Sequence, residues 1–247
     1  MDVFWFGLLV CVLVGLSTGL GALPILFTKK ISDKTLDVLL GFSAGVMLAA
    51  TCFSLLVPAV DLGGPLIAVA GIALGALTLH LIDRFVPHFH PISGPEGPKS
   101  KMPKVWLFVI AITIHNFPEG LAVGLGFGSG DVSAGLIIAV AIALQNMPEG
   151  LAVALPLVRE GYSRRKSLAY ATLTGLVEPL GGLLGLVLVS VFLPFQPFGL
   201  AFAGGAMLFV VSDEMIPESH RKGFERQATF GLLVGFMLMM FLDCLLV

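Results

Sequence analysis

Charge is what this chain has least of. Asp, Glu, Lys and Arg make up 12% of its 247 residues, about half the ~25% usual in soluble domains. With 57% hydrophobic residues and a mean hydropathy of +0.99, that shortage excludes a soluble globular domain and excludes disorder. A net charge of −2 leaves no basic footprint and excludes nucleic acid as a partner. Cysteine is scarce too. Cys11, Cys52 and Cys244 lie in apolar stretches and read as free buried thiols, not as disulfides or thiolate ligands. No Lys or Arg precedes the first apolar run. That run is long enough to span, so it reads as a retained helix and not as a signal peptide.

What is present is a series of apolar runs bounded by turn residues or charges. They predict an all-α polytopic membrane protein with eight transmembrane helices, over residues 4–27, 36–57, 65–86, 104–126, 132–158, 167–192, 198–217 and 228–247. All 14 Lys and Arg fall in four loops. Lys29, Lys30 and Lys34 follow the first span; Arg84, Lys99, Lys101 and Lys104 follow the third. Arg159, Arg164, Arg165 and Lys166 follow the fifth; Arg221, Lys222 and Arg226 follow the seventh. The positive-inside rule makes these loops cytoplasmic and puts both termini outside. Residues 1–247 form one transmembrane domain in a lipid bilayer. The single long loop, 87–103, is rich in Pro, Gly, Ser and Lys and reads as a flexible cytoplasmic linker.

The acids are placed differently from the bases. Glu119, Glu149 and Glu178 fall near the middle of the fourth, fifth and sixth spans, with no Lys or Arg at comparable depth. A carboxylate in hydrocarbon costs ~2.5–3.5 kcal/mol on insertion scales. A single such Glu can be carried protonated and hydrogen-bonded. Three together, with a His and two Asn nearby, point to a bound cation.

The fourth span holds HNFPEGLAVGL at 115–125 and the fifth QNMPEGLAVAL at 145–155. Consecutive spans run antiparallel, so this is an inverted repeat, which sets a substrate site at the midplane. His115 and Glu119 (i, i+4) share a helix face, as do Asn146 and Glu149 (i, i+3). Pro118 and Pro148 free the carbonyls of Ile114 and Leu144, which predicts locally unwound backbone lining protein or water. The Gly after each Glu allows close helix approach. Met47, at mid-depth of the second span, is ordinarily packing and otherwise a thioether ligand. Imidazole, carboxylate and amide suit a divalent transition metal such as zinc, iron or manganese better than calcium. The charge count also allows two ions bridged by Glu119 and Glu149.

These residues resemble the ZIP family of metal transporters over essentially the whole chain, and most of all its bacterial GufA-type branch. The resemblance implies a 3+2+3 arrangement, with spans 1–3 and 6–8 as inverted repeats around the central pair. It implies one metal site from Met47, His115, Glu119 and Glu149, and a neighbouring one from Asn116, Glu119, Asn146, Glu149 and Glu178. It also implies uptake into the cytoplasm of Zn2+, with Fe2+, Mn2+ and Cd2+ as further substrates, across the bacterial inner membrane. Spans 1, 4, 5 and 6 would move against 2, 3, 7 and 8. Two departures bear on this. Some relatives carry Asp or His where this chain has the neutral Asn146, which weakens the second site. Many carry His where this chain has Asp213 beside Glu214.

Along the way in, Asp2, Asp61, Asp131 and Asp243 fall on the outer side, where no base lies, and a rim of one sign concentrates cations. Ser54 lies one turn inside. On the inner side Glu214 is the best exit candidate; Glu218 with His220 either receives metal or is a solvated flank. His88 and His90 on the long loop are a weak metal-capture signal. The other class of function, an intramembrane metal-dependent hydrolase using metal-bound water, is disfavoured: there is no HExxH and no nucleophile–His arrangement. Oligomeric state stays open; Gly71 and Gly75 offer a GxxxG surface for a homodimer.

Overall fold

The computed structural model describes residues 2–28, 31–90 and 94–246; Lys29 and Lys30 lie outside them. Nine main helices carry the fold: α1 (Val3–Ala22), α2 (Asp33–Ala50), α3 (Val57–Phe85), α4 (Lys104–Gly128), α5 (Val132–Arg159), α6 (Arg164–Gly175), α7 (Glu178–Val191), α8 (Gln196–Val210) and α9 (Glu225–Leu246). They build seven helical stretches long and apolar enough to cross a membrane.

The second stretch runs 53 residues, Asp33–Phe85, where the sequence predicts two spans. Residues beyond 57 stay helical because the connection is apolar apart from Asp61. The break comes at Gly64 (φ 77°, ψ 168°), immediately before Pro65. Only glycine adopts that conformation readily.

Pro118 and Pro148 do not unwind their helices. α4 and α5 run continuously through them, and that expectation is corrected. The irregular backbone lies elsewhere. Residues 51–56 and 211–215 form π-helical turns, and each is followed closely by a proline, Pro58 or Pro217. The predicted span 167–192 breaks between α6 and α7. There Pro179 occupies the first turn of α7, where its missing N–H leaves no helix bond unmade. Glu178 consequently opens a helix N-terminus, which favours a negative charge.

α4 and α5 pack side by side at the centre, α1 lies on α5, and α7 lies on α4. α2 pairs with α9 and α3 with α8. Glycines set those last two seams. A Cβ on Gly45 would meet the Leu232 backbone, and one on Gly235 the Phe42 backbone; a Cβ on Gly205 would meet Ile72, and one on Gly75 the Phe202 carbonyl. Gly71 and Gly75, a candidate surface for a second copy in the sequence, are therefore spent inside the chain against α8. The α3–α4 side is looser: an apolar cleft of about 410 Å³ opens there between Leu79 and Ile82 of α3 and Ile114 and Phe117 of α4.

Within the 87–103 loop the described residues include two short strands. β1 (His88–His90) pairs antiparallel with β2 (Gly94–Glu96), His88 opposite Glu96. His88 is buried. Its Nδ1 lies 2.7 Å from the Val86 carbonyl and its Nε2 3.6 Å from Asp83. The Lys104 ammonium sits 5.3 Å from the Phe89 ring centre.

The basic ends of the helices meet on one face of the bundle. Arg159 pairs with Asp33 at 2.8 Å, Arg164 donates to the Leu26 carbonyl at 3.0 Å, and Lys222 lies 3.6 Å from Asp37.

Candidate metal centre

α4 and α5 present their paired motifs to each other across the centre of the bundle, and α2 and α7 close the site. Met47, His115, Asn116, Glu119, Asn146, Glu149 and Glu178 are all buried. The glycines that follow the two motif carboxylates make this possible. A Cβ on Gly120 would strike the Glu178 backbone, and one on Gly150 the Thr18 carbonyl. Without side chains there, α7 and α1 press against the turns that carry Glu119 and Glu149.

A hydrogen-bonded row crosses one half of the site. Ser43 lies 2.9 Å from the Gln145 carbonyl and 3.2 Å from Glu149 Oε1, able to donate to either. Gln145 Nε2 donates to Asn146 Oδ1 at 2.9 Å. Asn146 Nδ2 donates to Glu178 Oε1 at 2.7 Å and to the Val14 carbonyl at 3.1 Å. Met47 is one turn beyond Ser43 on the same face of α2. Glu119, Glu149 and Glu178 lie close enough to repel one another. Among the described residues no Lys or Arg pairs with any of the three.

The other half is unsatisfied. His115 Nδ1, both polar atoms of Asn116 and Glu178 Oε2 have no hydrogen-bond partner. Neither oxygen of Glu119 accepts a bond of ordinary geometry, although the Gln145 amide lies alongside. Buried polar atoms are nearly always paired, so this cluster marks a place for a polar ligand. Three carboxylates, an imidazole and a thioether are donor types that suit a divalent transition metal.

Inward of the centre, His115 Nε2 is in ion-pair contact with Glu214 of the second π turn. The ligand atoms of Asp83, Asp213 and Glu214 lie within 4.8 Å of one another. Beyond them a cleft of about 540 Å³ is lined by His80, Asp83, Glu96 and Asp213. Glu218 and His220 do not join this group. Glu218 takes both guanidinium bonds of Arg221, at 2.9 and 3.0 Å. His220 Nδ1 lies 2.8 Å from Ser219 Oγ, and Nε2 lies 3.0 Å from Thr229 Oγ1. His88 joins through Asp83; the His90 side chain lies outside the described residues.

On the opposite face Ser54 Oγ donates to Asp243 at 2.6 Å. Ser54 and Asp61 line a vestibule of about 470 Å³ together with Asp131. Asp131 is also the N-cap of α5, and Asp2 that of α1.

Sequence reasoning missed Ser43 and Gln145 and left Asp83 unjoined to Glu214. Gln145 was legible as the position matching His115 in the repeat. Ser43 had the i, i+4 spacing to Met47 as its signal.

Residues 93–243 match the family described as ZIP Zinc transporter. The chain is 47% identical to the zinc transporter GufA of Myxococcus xanthus, over 96% of this chain and 97% of that protein. It is 46% identical to the zinc transporter ZIPB of Bordetella bronchiseptica, over 92% and 77%. It is 34% identical to the zinc transporter ZIP11 of Homo sapiens, over 92% and 93%.

Proposed function

This chain belongs to the ZIP family of zinc transporters, and from that premise we propose that it carries zinc across the bacterial inner membrane into the cytoplasm through the α4–α5 centre. It is a transporter and not an enzyme. One observation carries the reading: three buried carboxylates from three helices converge with no Lys or Arg beside them among the described residues. A bound divalent cation supplies the missing charge, and its passage is the function. Fe2+, Mn2+ and Cd2+ fit the same donor types.

Eight crossings with both termini outside are the topology we favour. A continuous helix of 53 residues would span ~80 Å at ~1.5 Å per residue, against a hydrocarbon core of ~30 Å. The Gly64 break supports two crossings in its place. The basic ends gathered on one face support a cytoplasmic side there.

A 3+2+3 inverted repeat is supported by matched contacts. Gly45 packs on Leu232 as Gly205 packs on Ile72, and Gly235 on Phe42 as Gly75 on Phe202. Every pair is related by the same step of 160 positions. That step also relates Ser54 to Glu214 and Asp83 to Asp243. The outer pair Ser54–Asp243 and the inner group Asp83–Glu214 are then the same device at the two mouths. Metal enters past Asp61, Ser54 and Asp243. It binds first to Met47, His115, Glu119 and Glu149, with a second ion at Asn116, Glu119, Asn146, Glu149 and Glu178. It leaves through Glu214, Asp83 and Asp213 toward His88. α1 and α4–α7 rock against α2, α3, α8 and α9. A homodimer would use a face other than Gly71 and Gly75.

Zinc flux into proteoliposomes, read by an internal fluorescent indicator, tests this. Influx in wild type, lost in His115→Ala and Glu119→Ala, is the expected result. Absence of flux in a folded, zinc-binding wild type overturns transport as the function.

A further inference from the structure

Two of the polar pairs at the centre are matched: Asn116 with Asn146, and Glu119 with Glu149. The third member of the second site, Glu178, has no assigned counterpart. The packing supplies one. The backbone of Glu178 occupies the space where a Cβ on Gly120 would be, and the backbone of Thr18 does the same at Gly150. Gly181 lies on the Phe117 backbone as Gly21 lies on that of Met147. Gly15 and Gly175 each face the other's carbonyl. Thr18 therefore stands to α5 as Glu178 stands to α4.

The Thr18 side chain behaves as a group with an unmet partner. Thr78, Thr113, Thr172 and Thr229 each donate to the carbonyl four residues back, the usual resort of a helical threonine. Thr18 does not. Its Oγ1 is buried without a hydrogen-bond partner, at 1% residue exposure. It shares that state with Thr51, which lies in a π turn, and with Asn116 and Glu119 of the centre. The hydroxyl lies 2.5 Å from where a Cβ on Gly175 would be, one turn before Glu178 on the neighbouring strand of helix. On the satisfied half, Asn146 is bonded to Glu178. Their counterparts in the repeat, Asn116 and Thr18, are both without a partner.

We propose that Thr18 is a ligand of the second metal site, its hydroxyl oxygen standing opposite the Glu178 carboxylate. The site then has three pairs of oxygen-bearing groups: Asn116 and Asn146, Glu119 and Glu149, Thr18 and Glu178. Six oxygen donors suit octahedral coordination, which favours a harder ion than the imidazole and thioether of the first site. A neutral hydroxyl facing a carboxylate also makes the site electrically lopsided, with the charge on the α7 side. This assignment rests on the two-site reading of the centre.

The test is calorimetric titration of zinc into the purified full-length protein, comparing wild type with Thr18→Val, Thr18→Ser and Thr18→Glu. The stronger site serves as the internal check on folding. Thr18→Val should weaken the second site about tenfold, the scale of one lost polar contact, and leave the first unchanged. Thr18→Ser should restore it, and Thr18→Glu should tighten it about tenfold by adding a charge. Two sites in every protein, with the weaker constant indifferent to both Val and Glu, overturns the role of Thr18 alone. A wild type that binds one zinc overturns the second site itself and this assignment with it.

Discussion

Asn146 and Glu178 are joined by a 2.7 Å hydrogen bond in which the amide donates to the carboxylate. A neutral side chain on α5 thus holds in place a charge on α7. Asn146→Asp removes the donor and sets two carboxylates side by side. The metal-free variant should be less stable by about 1–3 kcal/mol, and zinc should raise its Tm by more than it raises that of wild type. Thermal unfolding with and without zinc reads both effects. Equal zinc-induced shifts in the two proteins would mean that Asn146 is not beside the metal.

Glu149 is shared, like Glu119, by both proposed sites, and it is the one held by Ser43 at 3.2 Å. Glu149→Ala should lower zinc uptake by at least ~100-fold, beyond the usual loss from a group behind the ligands, with normal membrane insertion. Ser43→Ala should lower it less, because the carboxylate keeps its charge and loses only orientation. Uptake assays normalised to protein in the membrane check the order. Near-normal flux in Glu149→Ala would sink the shared-ligand arrangement.

Ser54 is bonded to Asp243 at the mouth we propose as the outer one, away from the centre. Asp243→Asn should raise KM for zinc several-fold and keep the maximal rate, since a rim charge acts on encounter. The difference from wild type should shrink at high salt as screening removes the field. A fall in maximal rate at unchanged KM would assign Asp243 to a later step.

Gly150→Ala places a methyl group against the Thr18 carbonyl, where neither main chain can yield cheaply. The expected loss is about 1–3 kcal/mol, as for overpacking elsewhere, with a lower Tm in detergent. Gly130→Ala is the comparison. Nothing lies within 4 Å of a Cβ there, and its φ of +86° limits the effect to backbone strain of about 1 kcal/mol. If the two variants unfold alike, close approach is not what Gly150 provides.

Much of this was open to reading from residue order. Apolar runs and the four basic loops located the helices, and the paired HNFPEG and QNMPEG motifs located the centre. Both signals are local: hydropathy and spacing along one helix. What escaped depended on specific side-chain contacts, near and far along the chain. The strand pair at His88 is held by Asp83 and Val86, which composition cannot register. The contact between His115 and Glu214 joins positions 99 apart in the chain. The π turns have no simple residue signature. Prolines misled, because Pro118 and Pro148 signal unwinding locally while α4 and α5 stay helical through them.

The glycine seams have a consequence for how the protein meets its solvent. Where main chains touch, as Gly45 does Leu232 and Gly75 does Phe202, no acyl chain fits between helices. α2 with α9 and α3 with α8 therefore face the bilayer as two tight pairs, with Leu66, Val69, Phe230 and Phe241 on their outer skin. A thicker or thinner membrane can tilt those pairs but finds no gap within either at the seams. The strain of mismatch would then fall on the looser cleft between α3 and α4, the boundary of the proposed rocking movement. If the halves rock there, membrane thickness would govern turnover by acting on that movement and would leave the metal ligands untouched.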